Sequence, residues 1–430
     1  MAENSVGIGM LGLGTVGTPA ARRLITDWEM LRDRCGGVTP VLREIAVRDP
    51  SKTRDLDLKN VRVGTDPASV VDNPEIAIVV EVMGGTEPAT ALIERALMAG
   101  KTVVTANKAV IAASGERLWA VAAEHRCGLW FEAAVGAGLP IVSVLRDALR
   151  GDRVTAIDAI INGTTNVILT RMREDGVTLA TALADAQARG YAEADPSADI
   201  DGWDAAQKLV IMTRLGCELS VLVDDVDVVG IGSLDRADMG YTGQLGYAVK
   251  LVAHAEVRAN SAAQLRVRPT AVPSAHPLFA VNGADNAVLL RSDLAQSVSL
   301  GGVGAGGDST ASAVVSDVVN AVLRRSAPPP PPPTVRPLLL DAEEYDVAGY
   351  ARLRISDADE ARELVLQALE DRGVPVDDAV DKPPIDGGDP QLLVLTGTAP
   401  RAVHDRALET LDSLPMVREV VCALDRIPPS

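Results

Sequence analysis

The residues best able to do chemistry lie in one stretch, Gly190-Tyr191-Ala192-Glu193-Ala194-Asp195-Pro196, which continues through Asp199, Asp201 and Asp204 to Lys208. Five carboxylates fall within twelve residues, and a single lysine follows them. After Gly202 the spacing of Ala205, Leu209, Met212 and Leu215 predicts a helix from Trp203 to Leu215. Asp204 and Lys208 stand four residues apart on it and share a face. The Gly-Tyr-Ala-Glu-Ala-Asp-Pro part cannot continue a helix and reads as a loop beside it. A loop carboxylate with a helical Asp/Lys pair suits a small polar substrate that carries an amino group and a transferable proton. A solvated acidic loop followed by a surface ion pair has the same spacing, so the rest of the chain has to decide.

A second set of candidate residues is a glycine turn. Two overlapping GxGxxG matches exist, Gly7/Gly9/Gly12 and Gly12/Gly14/Gly17. The first falls inside the strand expected at Ser5–Leu11, where no phosphate turn can form. The second follows that strand and precedes a stretch of helical composition, Thr18–Leu31, as a dinucleotide fingerprint requires. In Gly12-Leu13-Gly14-Thr15-Val16-Gly17 the first glycine turns the chain, the second admits a pyrophosphate and the third allows close helix packing. The helix N-terminus adds partial positive charge for the phosphates.

Further strands are expected at Arg43–Val47, Ile76–Val82 and Lys101–Thr105, with helices near 88–99 and 114–126. This alternation predicts a Rossmann-type doubly wound parallel sheet. The second strand ends Arg48-Asp49, with Lys52 and Arg54 close behind. Three cations favour the 2′-phosphate of NADP, and Asp49 leaves NAD open. Lys108, in Thr105-Ala106-Asn107-Lys108, and Thr86, after Met83-Gly84-Gly85, follow strand ends where ligands bind in such sheets.

Beyond about Phe131 the pattern changes to an α+β region. Val154–Gly163 reads as a strand running into Asn162-Gly163-Thr164-Thr165-Asn166, followed by helices near 166–174, 178–188 and 203–216. Gly243–Val257, Gln264–Arg268 and Asn286–Arg291 complete this region, then the Gly301–Gly307 cluster and a helix over Ser309–Leu323. Pro328–Pro333 is an unbroken proline run, and Ala327–Pro337 reads as a stiff spacer. The tail orders as strand, helix, two strands, helix and strand (Tyr350–Ile355, Asp359–Arg372, near Val374–Asp378, Gln391–Gly397, Ala402–Leu414, Val417–Leu424), a ferredoxin-like βαββαβ module.

Composition narrows the function classes. The net charge of −18 argues against nucleic-acid and anionic-membrane partners. Four scattered cysteines and four histidines show no metal-ligand spacing. With neither a signal-type N-terminus nor an apolar run of membrane length, the expected location is the cytoplasm.

The order from Ala186 to Lys208 resembles the signature segment of homoserine dehydrogenases: Gly-Tyr-Ala-Glu, Asp-Pro, Asp-Ile-x-Gly-x-Asp and a lysine four residues on. The resemblance covers about residues 5–323, with further markers at His276-Pro277-Leu278, Asn286-Ala287-Val288, Gly304-Ala305-Gly306 and Thr310–Val314. It implies reversible reduction of L-aspartate 4-semialdehyde to L-homoserine by NADPH or NADH, in threonine, methionine and isoleucine biosynthesis. Lys208 is the expected proton donor, with Lys108 the rival for that role or a stabiliser of the alkoxide. Glu193 is expected to hold the substrate ammonium, Asp199 to shape its pocket, Asp204 to orient Lys208 or bind substrate, and Gly163 and Thr164 to form the substrate-side loop. Asp195 and Asp201 remain open between substrate and solvent. Gly190 and Gly307 join the cofactor set by the same resemblance.

The resemblance also assigns Glu132 and the carbonyls of Val135, Ala137 and Leu139 to a monovalent cation, Na+ being expected. It implies a homodimer or higher homo-oligomer, a monofunctional chain, and a tail that looks like an ACT domain. The implied division is a dinucleotide domain over 1–135 completed by a helix at about 305–326, a substrate and dimerisation domain over 136–304, a linker over 327–340 and the ACT-like module over 341–430. Two departures stand out. Gly302-Val303-Gly304 replaces the family's Gly-Pro-Gly, and Asp357-Ala358-Asp359 lacks the glycine that receives an effector, which sets threonine feedback in question. The competing readings are another amino-acid semialdehyde oxidoreductase and a non-catalytic amino-acid sensor; a sensor has no need of both lysines.

Overall fold

The computed structural model describes residues 4–324, 332–356, 358–384 and 388–429. Ala327 to Pro331 of the expected linker, Arg325 and Ser326 at the end of the expected returning helix, and Asp357 of the expected effector turn lie outside them. The chain divides into two compact units: Met1–Ile157 with Gln207–Asp224 and Asn286–Arg336, and Asp158–Ala206 with Asp225–Asp285 and Pro337–Ser430.

The first unit is built on a parallel sheet of β1 (Ser5–Leu11), β2 (Thr39–Ala46), β3 (Arg62–Gly64), β4 (Ile78–Glu81), β5 (Thr102–Thr105) and β6 (Leu129–Trp130). Their spatial order is β3-β2-β1-β4-β5-β6. The order reverses between β1 and β4, so the carboxyl ends of these two strands open the crevice where doubly wound sheets take ligands. β1 and β4 are apolar on both sides because helices cover both faces. One of those helices, Gly307–Leu323, comes from far along the chain: Ala311, Val314, Val318 and Ala321 pack in the same core as Ile8, Met10 and Ile45.

Two helices differ from expectation here. The stretch read as one helix over Thr18–Leu31 is two, Gly17–Thr26 and Trp28–Arg34. Asp27 leaves helical geometry at the break, with φ −111° and ψ 28°, and its carboxylate is drawn back to Arg23. The helix expected at 114–126 begins earlier and runs Lys108–Glu124, because the Asn107 side chain caps it by accepting from Val110 N–H. Lys108 is therefore the first residue of a helix rather than a loop residue.

In the second unit, a long antiparallel pair, Tyr247–Val257 and Ala262–Pro273, leads into the C-terminal module, whose last strand joins at Thr270 and Ala271 in parallel. The module's strands are Asp346–Ile355, Val376–Lys382, Gln391–Pro400 and Val417–Arg426. They stand in the order fourth, first, third, second, all antiparallel. With helices Ala358–Asp371 and Arg401–Asp412 over a core of Leu353, Val365, Leu392 and Leu411, this is the ferredoxin-like arrangement. Its second strand starts later than expected, because Gly373 at φ +75° turns the chain out of the preceding helix first.

Two helices of this unit carry site residues, Gly163–Asp175 and the short Ser197–Ile200. Helix Trp203–Gly216 begins in this unit and continues into the first. Part of the expected element over Gly243–Val257 is the end of a separate helix, Arg236–Gln244, divided from the strand by Gly246 at φ +83°.

Candidate active site

In the first unit, the candidate nucleotide site is the turn after β1. Gly12 has φ +103°, and a Cβ there would stand 2.7 Å from the Val82 carbonyl oxygen. A Cβ on Gly17 would meet the Gly12 carbonyl oxygen at 2.5 Å, so only glycine lets the helix start this close to the strand. Gly14 faces open space. The backbone N–H groups of Gly14, Thr15, Val16 and Gly17 reach no acceptor among the described residues. Orphan donors at the start of a helix are what a pyrophosphate requires, so the turn fits the cofactor. Leu13 closes the turn from inside: its carbonyl accepts from Thr18 Oγ1 at 3.3 Å and from Arg54 Nε at 3.4 Å. A Cβ on Gly307 would stand 2.5 Å from the Thr15 carbonyl oxygen, so this glycine seats the returning helix against the turn.

At the end of β2, Arg48 is exposed. Asp49 is occupied locally, since one carboxylate oxygen accepts from Ser51 N–H at 2.9 Å and Ser51 Oγ at 2.6 Å. These bonds hold its carboxyl below the usual range. Arg54 bonds the carbonyls of Leu13, Lys52 and Asp49 and so ties this loop to the glycine turn.

The ends of β4 and β5 are fixed by a buried carboxylate that the sequence reading did not single out. Glu81 accepts from Met83 N–H at 2.8 Å and from Thr105 Oγ1 at 2.6 Å. Thr105 Oγ1 accepts in turn from Asn107 N–H at 3.0 Å, and Asn107 Nδ2 donates to the Gly85 carbonyl at 2.6 Å. This chain of bonds sets the helix N-terminus that carries Lys108, which is half-buried, and holds the turn before exposed Thr86. The sequence signal for it is a lone glutamate at the end of an apolar strand.

The loop over 132–140 is where a cation was expected. Glu132 is 5 % exposed, and its two carboxylate oxygens accept from Val142 N–H and Ser143 N–H, each at 2.7 Å. It therefore caps the following helical segment. Val135 and Ala137 are buried, and their carbonyl oxygens accept no hydrogen bond from described residues, whereas that of Leu139 accepts from Ile141 N–H at 2.8 Å. The Val135 and Ala137 carbonyls, with no donor among the described residues, and the Glu132 carboxylate are oxygen ligands of the kind a hard monovalent cation takes. Asp317 accepts from Glu132 N–H at 2.8 Å, and full burial pushes its carboxyl up to about 7.

The residues expected to meet the substrate, apart from Lys108 and Lys208, lie in the second unit, several of them around Asn162. Its Oδ1 caps helix Gly163–Asp175 by accepting from Thr165 N–H at 2.8 Å. Its Nδ2 donates to Asp199 Oδ1 at 2.6 Å and to Asp204 Oδ2 at 2.8 Å. Asp204 is 5 % exposed and Asp199 half-buried. Gly163 opens the helix, and Thr164 Oγ1 donates to the Tyr191 carbonyl at 2.7 Å, which draws in the loop that carries Glu193. The Glu193 side chain is exposed, while its carbonyl accepts from Gln187 Nε2 at 3.0 Å. Lys208 lies one turn beyond Asp204 on the same helix and is half-buried.

Other acidic-stretch residues do local work. Asp195 accepts from Ser197 N–H at 3.1 Å and Ser197 Oγ at 2.7 Å, which keeps its carboxyl low and fastens the short helix. Asp201 is exposed. Gly190 has φ +76° and lets the chain leave helix Leu179–Ala188.

Comparison with known proteins bears on both halves. Residues 12–132 match the family model described as homoserine dehydrogenase, NAD binding domain, and residues 140–319 match the homoserine dehydrogenase model. The chain is 45 % identical over 326 residues to a homoserine dehydrogenase of Synechocystis, covering 74 % of this chain and 73 % of that one. It is similar to the crystal structure of a homoserine dehydrogenase from Thiobacillus denitrificans, with a TM-score of 0.92, 35 % identity and 98 % of each chain covered. A hyperthermophilic archaeal homoserine dehydrogenase in complex with NADPH is similar at a TM-score of 0.63 and 31 % identity, over 74 % of this chain and 98 % of that one.

Proposed function

The chain belongs to the homoserine dehydrogenase family, and from that premise we propose which residues carry the reversible reduction of L-aspartate 4-semialdehyde to L-homoserine. The nicotinamide cofactor, when bound, supplies the hydride to the aldehyde carbon. Lys208 donates the proton to the carbonyl oxygen and takes it back in the reverse direction. Lys108, at the positive end of its helix, stabilises negative charge on that oxygen. Glu193 and Asp199 hold the substrate ammonium, Asp204 orients Lys208, and Thr164 and Gly163 border the substrate. The observation that carries this reading is Asp204, buried, fixed by Asn162 and one helical turn from Lys208.

NADP is the preferred cofactor in this reading. The Asp49 carboxylate is engaged by Ser51, which leaves exposed Arg48 as the group for a 2′-phosphate. Gly12 to Gly17 hold the pyrophosphate, with Thr86, Gly190 and Gly307 bordering the cofactor. Glu132 with the carbonyls of Val135, Ala137 and Leu139 holds Na+, whose part is to fix this loop. Residues 1–135 with about 305–326 serve the dinucleotide, 136–304 the substrate and self-association as a dimer, and 341–430 an ACT-like module. The proposed location is the cytoplasm; among the described residues no helix is long and apolar enough to cross a membrane.

The direct test is absorbance of reduced nicotinamide on adding L-homoserine, with NADP, with NAD, and with threonine present. Reduction with NADP ahead of NAD is expected, and a threonine response would give the C-terminal module a regulatory role. No reduction with either cofactor, from a folded sample supplied with monovalent cation, overturns the reading.

A further inference from the structure

We propose that Asn162 is a positioning residue for the reaction: it clamps Asp199 and Asp204 together and so sets the pose of the carboxylates that serve the substrate and Lys208. This rests on the functional reading above and adds a residue to it.

The amide uses all of its bonding capacity. Oδ1 accepts from Thr165 N–H at 2.8 Å and Thr165 Oγ1 at 3.0 Å, while Nδ2 gives one hydrogen to Asp199 at 2.6 Å and the other to Asp204 at 2.8 Å. Turning the amide over would set an oxygen against two carboxylates and an NH2 against an N–H, so the network admits one orientation. Asn162 is 4 % exposed, and its bonds to Asp199 and Asp204 gain strength where water is excluded.

Two carboxylates within reach of one nitrogen repel each other, and the amide brings two donors but no charge. A lysine or arginine in its place would neutralise the pair and compete with the substrate ammonium for it. A leucine would let the carboxylates swing apart. Asparagine holds them together without adding a charge of its own. The neighbouring loop is built to the same end. A Cβ on Gly230 would stand 2.3 Å from the Ile200 carbonyl oxygen, and Ile231 N–H donates to that oxygen at 2.9 Å. This loop thereby holds the backbone at Ile200, between Asp199 and Asp204, while the amide fixes the two side chains.

Asn162 also caps a helix, and the test must separate capping from clamping. Serine and aspartate cap about as well as asparagine. Neither can reach or donate to both carboxylates. In Asn162→Ser we expect kcat/KM for homoserine to fall on the order of a hundredfold, with the thermal midpoint and NADP affinity close to wild type. Asn162→Asp adds a third carboxylate, which favours protonation of the others, so the acid limb of the pH–rate profile should move up by about one unit. Either variant keeping wild-type kcat/KM and pH profile overturns the clamp, as does loss of activity in Asn162→Ser that only follows loss of folded protein. Wild-type protein inactive with homoserine would instead refute the functional reading, so the two failures are distinguishable.

Discussion

Two carboxylate clusters in the second unit make an instructive pair. Around Asn162, Asp199 and Asp204 are held by a neutral amide. Around Arg352, which is 3 % exposed, Asp238 accepts from Nε at 2.7 Å and from Nη2 at 3.0 Å, and Asp235 from Nη2 at 3.1 Å. Tyr350 donates its hydroxyl to Asp238 at 3.3 Å, and burial followed by the Asp238 charge pushes the phenol well above its ordinary range. The guanidinium supplies a full positive charge and a planar fork of donors. That cluster joins helix Arg236–Gln244 to the first strand of the C-terminal module. A buried cluster that brings its own countercharge ties elements together; one held by a neutral amide gains no charge from its clamp, which is the feature the proposed roles of Asp204 and Lys208 draw on.

The largest effect expected from this contrast is at the lysine beyond the amide-held pair. Lys208→Ala should lower turnover on the order of a thousandfold while NADP affinity, read by fluorescence titration, barely changes. An unchanged turnover number would remove Lys208 from the mechanism and leave Asp204 as a merely structural carboxylate. The guanidinium-held cluster should respond in stability instead. Arg352→Met leaves Asp238 buried without its countercharge and should cost about 3–5 kcal/mol in urea unfolding. Adding Asp238→Leu to it should restore much of that loss. Arg352→Met unfolding like wild type would sink the claim that this cluster fastens the module.

The contrast also explains what could be read from the sequence. The glycine turn, the sheet pattern and the Asp204/Lys208 pair are local features, written in spacings of a few residues. The clamp is not local: Asn162 and Asp204 are 42 residues apart in sequence, Thr105 and Glu81 24, and Arg352 and Asp238 114. Nothing in the spacing of Asn162-Gly163-Thr164 says what its amide meets, although asparagine before a helical run announces a cap. The break at Asp27 was hidden for a related reason. No glycine or proline marks it, and the side chain that accompanies it is drawn to Arg23 one turn back.

At the exposed end of β2 the same reasoning gives a smaller effect, because solvent screens the charge there. Arg48→Asp should shift the ratio of kcat/KM for NADP over NAD by about tenfold or more toward NAD, about 1.4 kcal/mol in binding terms. Equal ratios for variant and wild type would show that exposed Arg48 does not read the 2′-phosphate, and Lys52 and Arg54 would be next.

Lys250 offers the positive counterpart of the amide-held cluster, and the gentlest test. It is 1 % exposed and its Nζ donates to Asn166 Oδ1 at 3.1 Å, Asn282 Oδ1 at 2.9 Å and the Val281 carbonyl. All three acceptors are uncharged. Burial, aided by Arg173, pulls its pKa down to about 7. Asn166 stands one turn along the helix that Asn162 caps, so the two asparagines hold opposite charges on one element. With a folded pKa below the unfolded value of about 10.4, the unfolded chain binds more protons between those two values. Stability from this group should therefore rise with pH across that window, by at most about 1.4 kcal/mol per unit. Below the folded value both states are protonated and the contribution is flat. The measurement is urea unfolding at several pH values from neutral upward, for wild type and Lys250→Met, since the difference isolates this lysine from other titrating groups. Wild type should gain on the variant as pH rises. Parallel curves would mean that three neutral oxygens sustain a buried charge as well as water does, and the rule drawn from the two carboxylate clusters would lose its force.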